Sequence, residues 1–68
     1  MRILKRGYDL VNLLIPNAGM AITVRDYINS LLSMGYNIYQ ARGSIGGCSL
    51  HKTIELRLVG EESYIIRL

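Results

Sequence analysis

The sequence predicts an α+β fold in which one helix packs on a mainly antiparallel sheet, in the order β-α-β-β-β. Three observations support this prediction. One segment has the apolar period of a helix and a signal at each end, a glycine-rich stretch interrupts the chain after it, and two alternating segments near the C-terminus flank a short turn. The 68 residues form a single domain, residues 1–68, because a chain of this length holds only one hydrophobic core.

The segment before Pro16 fits two structures. Residues 9–15 fit a short helix, because Leu10, Leu13 and Leu14 share one helical face. They also fit a strand, because apolar side chains alternate there. We favour the strand, since a helix that ended at Pro16 would have barely two turns and little stability by itself.

The clearest predicted element is a helix that begins at Thr23. Thr23 and Asp26 match a T-x-x-D capping box, in which the Thr hydroxyl accepts from the backbone N–H of Asp26. Gly35 provides a left-handed stop, and Tyr36 can fold back as in a Schellman motif. Between these signals the apolar residues recur at helical spacing: Val24, Tyr27, Ile28, Leu31 and Leu32.

The apolar period changes after this helix. Residues 36–42 have the composition of a strand, and residues 43–47 interrupt it with three glycines. Residues 50–59 alternate again, and residues 60–62 form a predicted tight turn before a closing strand over residues 63–68. The last two strands should pair antiparallel, which leaves the sheet with an open face or edge.

Half of the residues are apolar and only 19% are charged. A chain of this size buries only about 60% of the surface that its unfolded form exposes, so apolar side chains should remain uncovered in a single copy. We therefore expect a homo-oligomer or a protein partner. The alternative is a monomer with ordinary exposed Leu and Ile. No segment reaches the roughly 18 apolar residues of a membrane span, so we expect no membrane association.

The chain has one cysteine, Cys48, and one histidine, His51. They cannot form an intrachain disulfide or, by themselves, a zinc site, which favours a reducing, cytoplasmic location. On a strand they would lie on opposite faces, and the acidic residues offer no acid/base pair. We therefore expect no enzymatic activity, no catalytic residue, no metal and no cofactor.

The glycine-rich stretch is the candidate ligand site. Gly43, Gly46 and Gly47 would let backbone N–H groups converge on an anion, and Arg42 would add a charge-assisted contact. This pattern indicates a small anion or nucleotide as ligand. The alternative is a flexible hairpin connection that binds nothing, because the spacing matches no phosphate-binding motif.

A nucleic-acid-binding module is a further and less favoured alternative. The net charge is +3, and basic residues cluster at Arg2, Lys5 and Arg6. Three tyrosines offer stacking faces for bases: Tyr8, Tyr36 and Tyr39. Against this interpretation, a few charges near a chain end are often only solvated, and tyrosines also serve the core.

Read from Val11 onward, the order of segments resembles the PII-like group of ferredoxin-like small-ligand sensors. Residues 11–15 match the first strand of that family, and Thr23 to Met34 match its helix. Residues 36–42 match its second strand, residues 43–49 its mobile loop, and the returning strand follows from His51 to Val59.

The resemblance implies subunits that associate through their sheets and a small anionic ligand held between them near the loop. Carried over by position, the ligand contacts would be Arg42, Gly43, Gly46 and Gly47. The chain departs from the family because only residues 60–62 separate the last two strands, where the family has a second helix.

Together these observations predict a non-enzymatic, homo-oligomeric binding or regulatory protein that takes a small anion or nucleotide at the glycine-rich stretch. The alternative is a small phage-type inhibitor or adaptor, which would act through protein contacts at an exposed sheet edge or at Ile45.

Overall fold

A computed structural model of the chain describes residues 6–68. It contains three helices and three strands: α1 (Gly7–Leu14), β1 (Ala21–Thr23), α2 (Val24–Ser33), α3 (Ile38–Leu50), β2 (Ile54–Val59) and β3 (Glu62–Arg67). The strands form one antiparallel sheet in the order β1-β3-β2. The predicted α+β class is confirmed. The predicted order β-α-β-β-β is wrong, since the observed order is α-β-α-α-β-β.

The helix predicted from Thr23 is confirmed at both ends. The Thr23 hydroxyl accepts the Asp26 backbone N–H at 3.1 Å, as an N-cap should. At the other end Gly35 has a φ of +99°, and the Tyr36 N–H donates to the Leu31 carbonyl at 3.0 Å. These are the contacts of a Schellman motif, so local signals alone define α2.

The strand predicted over residues 9–15 is wrong, because most of this segment lies in α1. The Asp9 carboxylate accepts the Arg6 backbone N–H at 3.1 Å and so caps the first turn. Gly7 lies against α3, where a Cβ atom would stand 2.9 Å from the Ser44 Cα. Packing on a second helix supplies the stability that a two-turn helix lacks by itself.

The strand predicted over residues 36–42 and the loop predicted over residues 43–47 are also wrong, since α3 runs through both. A capping box begins this helix: the Asn37 side chain accepts the Gln40 N–H at 2.8 Å, and the Gln40 side chain accepts the Asn37 N–H at 2.9 Å. Three residues at helical spacing are buried: Ala41, Ser44 and Cys48. Tertiary burial therefore outweighs the low helix propensity of the glycines.

The C-terminal hairpin is confirmed, with a later start than predicted. The strand predicted from residue 50 begins at Ile54, because α3 and a turn occupy residues 50–53. Gly60, with a φ of +64°, and Glu61 form the two-residue turn between the paired residues Val59 and Glu62. Only Gly60 has a positive φ there, which is typical of a type II′ hairpin turn.

The hydrophobic core lies between the three helices and one face of the sheet. Two sheet residues, Ile54 and Ile65, are 2% exposed or less, and side chains from the helical part of the chain cover them. Those side chains are Leu10, Val11, Ile15, Tyr27, Leu31, Ala41 and Cys48. Within residues 6–68, no helix combines the length and apolar content that crossing a bilayer requires.

Candidate functional site

The candidate functional surface is built on α2, α3 and the turn between them. The turn spans residues 34–37 and includes the left-handed Gly35. Inside the helix pair, the Tyr27 hydroxyl lies 2.6 Å from the Ser44 hydroxyl, which donates to the Ala41 carbonyl at 2.6 Å. Because Ser44 uses its only proton on Ala41, Tyr27 is the donor to Ser44. This chain of hydrogen bonds fixes α3 against α2.

Burial of the Tyr27 ring has an electrostatic consequence. Removal from water raises the pKa of Tyr27 above its ordinary value, and the hydrogen bond with Ser44 opposes this only in part. The hydroxyl therefore stays protonated and remains a donor at neutral pH.

One face of α3 is exposed along the whole helix. Its residues follow the helical repeat: Tyr39, Arg42, Gly43, Gly46, Gly47 and Leu50. Tyr39 is 82% exposed. Among residues 6–68, Arg42 takes part in neither of the two ion pairs. We call this surface the α3 outer face.

All four residues of the predicted ligand site lie on the α3 outer face, but not in the predicted conformation. Arg42, Gly43, Gly46 and Gly47 belong to a regular helix and not to a glycine loop. Their N–H groups lie inside the helix, where they bond to the preceding turn and cannot form an anion nest. Contact between these four residues and a ligand stays a prediction.

An open groove of about 430 Å³ runs between α1 and α3 beside the α3 outer face. Its lining includes Cys48 and His51. The sequence predicted a strand here, with these two side chains on opposite faces. That prediction is wrong, because Cys48 belongs to α3 and His51 is the C-cap of α3. Burial raises the pKa of the Cys48 thiol, which keeps it protonated and weakly nucleophilic. In the described part of the chain, no three His, Cys, Asp or Glu side chains gather as metal ligands.

The basic side chains divide into structural and available ones. Arg67 donates to the Asn12 side chain and to the Ile15 carbonyl, the latter at 3.1 Å, and its guanidinium lies 5.5 Å from the centre of the Tyr8 ring. Arg57 binds Glu55 at 2.8 Å, and Arg25 forms an ion pair with Glu62. Arg42 is therefore the cation that α3 presents outward.

The predicted nucleic-acid cluster is redistributed by the fold. Arg2 and Lys5 lie outside the described residues, and Arg6 is the N-cap of α1. Tyr8 is engaged by Arg67, and Tyr36 packs against the core. Of the aromatic residues expected to offer stacking faces, Tyr39 alone lies on the α3 outer face.

Comparison of the chain with protein-family models, with curated proteins and with solved structures finds no match. The PII-like resemblance therefore stays a prediction. The segments that it matched to two strands and a loop, residues 11–15, 36–42 and 43–49, lie largely in α1 and α3.

Proposed function

We propose that the protein binds double-stranded DNA through a helix-turn-helix formed by α2 and α3, with α3 in the major groove. The observation that carries this proposal is the α2–α3 unit: two helices joined by a four-residue glycine turn, the second with one face free along its length. In helix-turn-helix proteins the second helix enters the major groove, and the first helix crosses the DNA backbone.

The arrangement of the other elements supports the same proposal. A helix and a short strand precede the α2–α3 unit, an antiparallel hairpin follows it, and the last strand lies in the middle of the sheet. This is the element order of winged helix-turn-helix domains, in which the hairpin is the wing. A fold does not by itself define a function, which depends on the chemistry of the α3 outer face.

The chemistry of the α3 outer face fits DNA. Base contacts in helix-turn-helix proteins come from the N-terminal part of the second helix, where Tyr39 and Arg42 lie. A guanidinium can donate two hydrogen bonds to guanine O6 and N7, and a tyrosine hydroxyl can donate to a phosphate. Beyond Arg42 the face carries glycines, so the backbone of α3 can approach the groove closely.

The electrostatic balance also favours a polyanion. The chain has a net charge of +3. Two of its acidic side chains, Glu55 and Glu62, are already neutralised by Arg57 and Arg25, so they repel a polyanion less. Phosphate contacts by Lys and Arg release counterions, which makes binding strongly dependent on salt. We therefore expect DNA affinity to fall steeply as the salt concentration rises.

The test is the Arg42→Ala variant, measured by fluorescence anisotropy on a duplex selected from a randomised pool. Loss of the Arg42 contact should weaken binding by about 1–3 kcal/mol, which corresponds to roughly five- to 150-fold in affinity. The matched control is Lys52→Asn, which removes the same charge from the turn just after α3, ten residues beyond Arg42. Asn tolerates the left-handed backbone that Lys52 adopts, with a φ of 60°.

The control should change affinity by less than about threefold, because only the long-range field changes. The salt slope distinguishes the two roles of Arg42: it falls by about one for a phosphate contact and stays the same for a base contact. Equal affinities for Arg42→Ala and the original chain, or no binding to any duplex at low salt, would contradict the proposal.

Four expectations from the sequence stay predictions: the small-anion or nucleotide ligand, the inhibitor or adaptor role, the cytoplasmic location and the absence of enzymatic activity. A thiol held protonated by burial at Cys48 agrees with a protein that does no nucleophilic chemistry there. DNA binding is preferred because the exposed face of α3 carries Arg42 in its N-terminal half, where helix-turn-helix proteins contact bases.

A further inference from the structure

We propose that two copies of the chain associate through the outer edge of β2, which forms a two-fold dimer with one continuous antiparallel sheet. In the sheet order β1-β3-β2, strand β2 is an end strand, and no strand within residues 6–68 pairs with its outer side. Such an edge presents unpaired N–H and C=O groups, which are a template for another strand. This inference goes beyond the DNA-binding proposal and does not depend on it.

Strand β2 lacks most of the features that protect edge strands. It has six residues, no proline and no lysine, and its only charged side chains are Glu55 and Arg57. The apolar side chains nearest the hairpin turn are open to solvent: Leu56 is 46% exposed and Leu58 is 69% exposed on one face, and Val59 is 57% exposed on the other. A monomer would leave these apolar side chains in water.

The strand is complementary to itself in one register. If the two-fold axis passes through Leu56, each Leu56 faces its own copy, and Ile54 faces Leu58 of the second copy. In the same register Glu55 faces Arg57 of the second copy, twice by symmetry. These two side chains already share one face of the sheet, since their charged atoms lie 2.8 Å apart within the strand.

Neighbouring registers are worse for physical reasons. An axis through Glu55 or through Arg57 would place like charges directly opposite each other, which is destabilising. The N–H and C=O groups of successive residues point alternately toward β3 and away from it. An axis between two residues would therefore place residues whose groups point outward opposite residues whose groups point inward, and no ladder could form. The register through Leu56 therefore combines a complete ladder, apolar neighbours on one face and opposite charges on the other.

Cysteine cross-linking tests the register directly. Residues opposite each other in an antiparallel pair have Cα atoms about 4.5–5.5 Å apart, within the roughly 4.4–6.8 Å that a disulfide spans. The Leu56→Cys variant should therefore form a covalent dimer under mild oxidation. The matched control is Leu58→Cys, which would lie about 13 Å from its own copy and should stay uncross-linked.

This pair of variants separates the register from simple accessibility. Leu58 is more exposed than Leu56, so random collision would favour cross-linking at residue 58. The original chain is the second control, because its own thiol, Cys48, is buried. Equal cross-linking of Leu56→Cys and Leu58→Cys would overturn the proposed register.

Charge reversal tests the energetics. Arg57→Glu and Glu55→Arg each turn two attractive cross-strand pairs into repulsive ones, so each should raise the dimer dissociation constant by about tenfold or more. The double variant restores opposite charges in every pair and should return the dissociation constant to within about threefold of the original. Arg42→Glu changes the net charge as Arg57→Glu does, but on α3, and should leave the dimer intact.

The readout is molar mass by light scattering across a dilution series, with circular dichroism to confirm that each variant is folded. A chain that remains a monomer at millimolar concentration overturns the proposal, and it leaves DNA binding standing because that proposal is read from affinity for a duplex. A dimer that survives Arg57→Glu unchanged also overturns it, since the contact then lies elsewhere.

Discussion

The hydrogen-bond chain from Tyr27 through Ser44 to Ala41 decides how the two helices of the candidate site are held. Tyr27 and Ser44 are 1% exposed or less, so water cannot replace a lost bond. Within residues 6–68, every buried side-chain nitrogen or oxygen has a hydrogen-bond partner. The Tyr27 hydroxyl therefore depends on Ser44 as its acceptor, whereas the Ser44 proton is satisfied by the Ala41 carbonyl.

We predict that Ser44→Ala destabilises the protein more than Tyr27→Phe. Ser44→Ala leaves the Tyr27 hydroxyl buried without an acceptor, which costs about 1–3 kcal/mol, whereas Tyr27→Phe loses one net hydrogen bond, about 1 kcal/mol. Urea unfolding followed by circular dichroism measures both, with the exposed Ser33→Ala as control.

The double variant should cost less than the sum of the two single changes, because the second substitution has no bond left to break. Additive costs would show that the two hydroxyl groups do not depend on each other.

At the scale of elements, α3 is the helix whose composition conflicts with its structure. Gly43, Gly46 and Gly47 each lower helix stability relative to alanine, and a Cβ atom at any of them would meet nothing within 4 Å. Packing within the described chain therefore does not require a glycine at any of these three positions. Gly7 differs, because α1 and α3 approach so closely there that a Cβ atom would meet the Ser44 backbone at 2.9 Å.

We predict opposite stability effects for two glycine substitutions. Gly46→Ala should raise the free energy of unfolding by about 0.5–1 kcal/mol, because alanine favours the helix. Gly7→Ala should lower it by about 1–3 kcal/mol, because the added methyl overpacks the contact with α3. Thermal unfolding measures both changes.

Gly46→Ala should also weaken DNA binding, since its methyl lies on the α3 outer face. A variant that is more stable and binds less well separates the functional surface from the fold. Unchanged DNA affinity in Gly46→Ala would mean that the helix backbone does not approach the duplex at this point.

At the scale of the whole molecule, Arg67 connects the two ends of the described chain. It lies in β3, and it donates to the Asn12 side chain and to the Ile15 carbonyl at the end of α1. Its guanidinium also lies over the Tyr8 ring. Hydrogen bonding to Asn12, followed by the effect of Arg67, lowers the pKa of Tyr8 below its ordinary value.

We predict that Arg67→Met lowers the free energy of unfolding by about 1–3 kcal/mol, because charge-assisted hydrogen bonds to α1 are lost while the apolar stem is kept. Arg25→Met is the control: this arginine forms an exposed ion pair with Glu62, and its loss should cost less than about 1 kcal/mol. Urea unfolding gives both values.

A second readout is the titration of the Tyr8 ring followed by NMR, which resolves it from the other four tyrosines. Its pKa should rise toward the ordinary value in Arg67→Met and stay unchanged in Arg25→Met, because only Arg67 lies beside the Tyr8 ring. An unchanged Tyr8 titration together with an unchanged unfolding midpoint would show that Arg67 does not hold α1 to the sheet.

The sequence grouped four residues that the structure places on one helix face, and their contact with a ligand stays a prediction. Arg42, Gly43, Gly46 and Gly47 were singled out from composition, and they do share one surface, but they share it as a helix face. The N-x-x-Q capping box at Asn37 was the local signal that a helix begins there, and the glycines that follow it obscured that signal.

By itself the sequence determined the elements whose boundaries are set by neighbouring residues: α2 between Thr23 and Gly35, and the hairpin that turns at Gly60. Hydrogen bonds between residues a few positions apart mark where such elements begin, turn and end. Only the tertiary structure decided α1 and α3. A two-turn helix and a glycine-rich helix become stable when α1 packs on α3 and α3 packs on α2, which buries Val11, Ala41 and Ser44. The free energy of that burial is not contained in either segment alone.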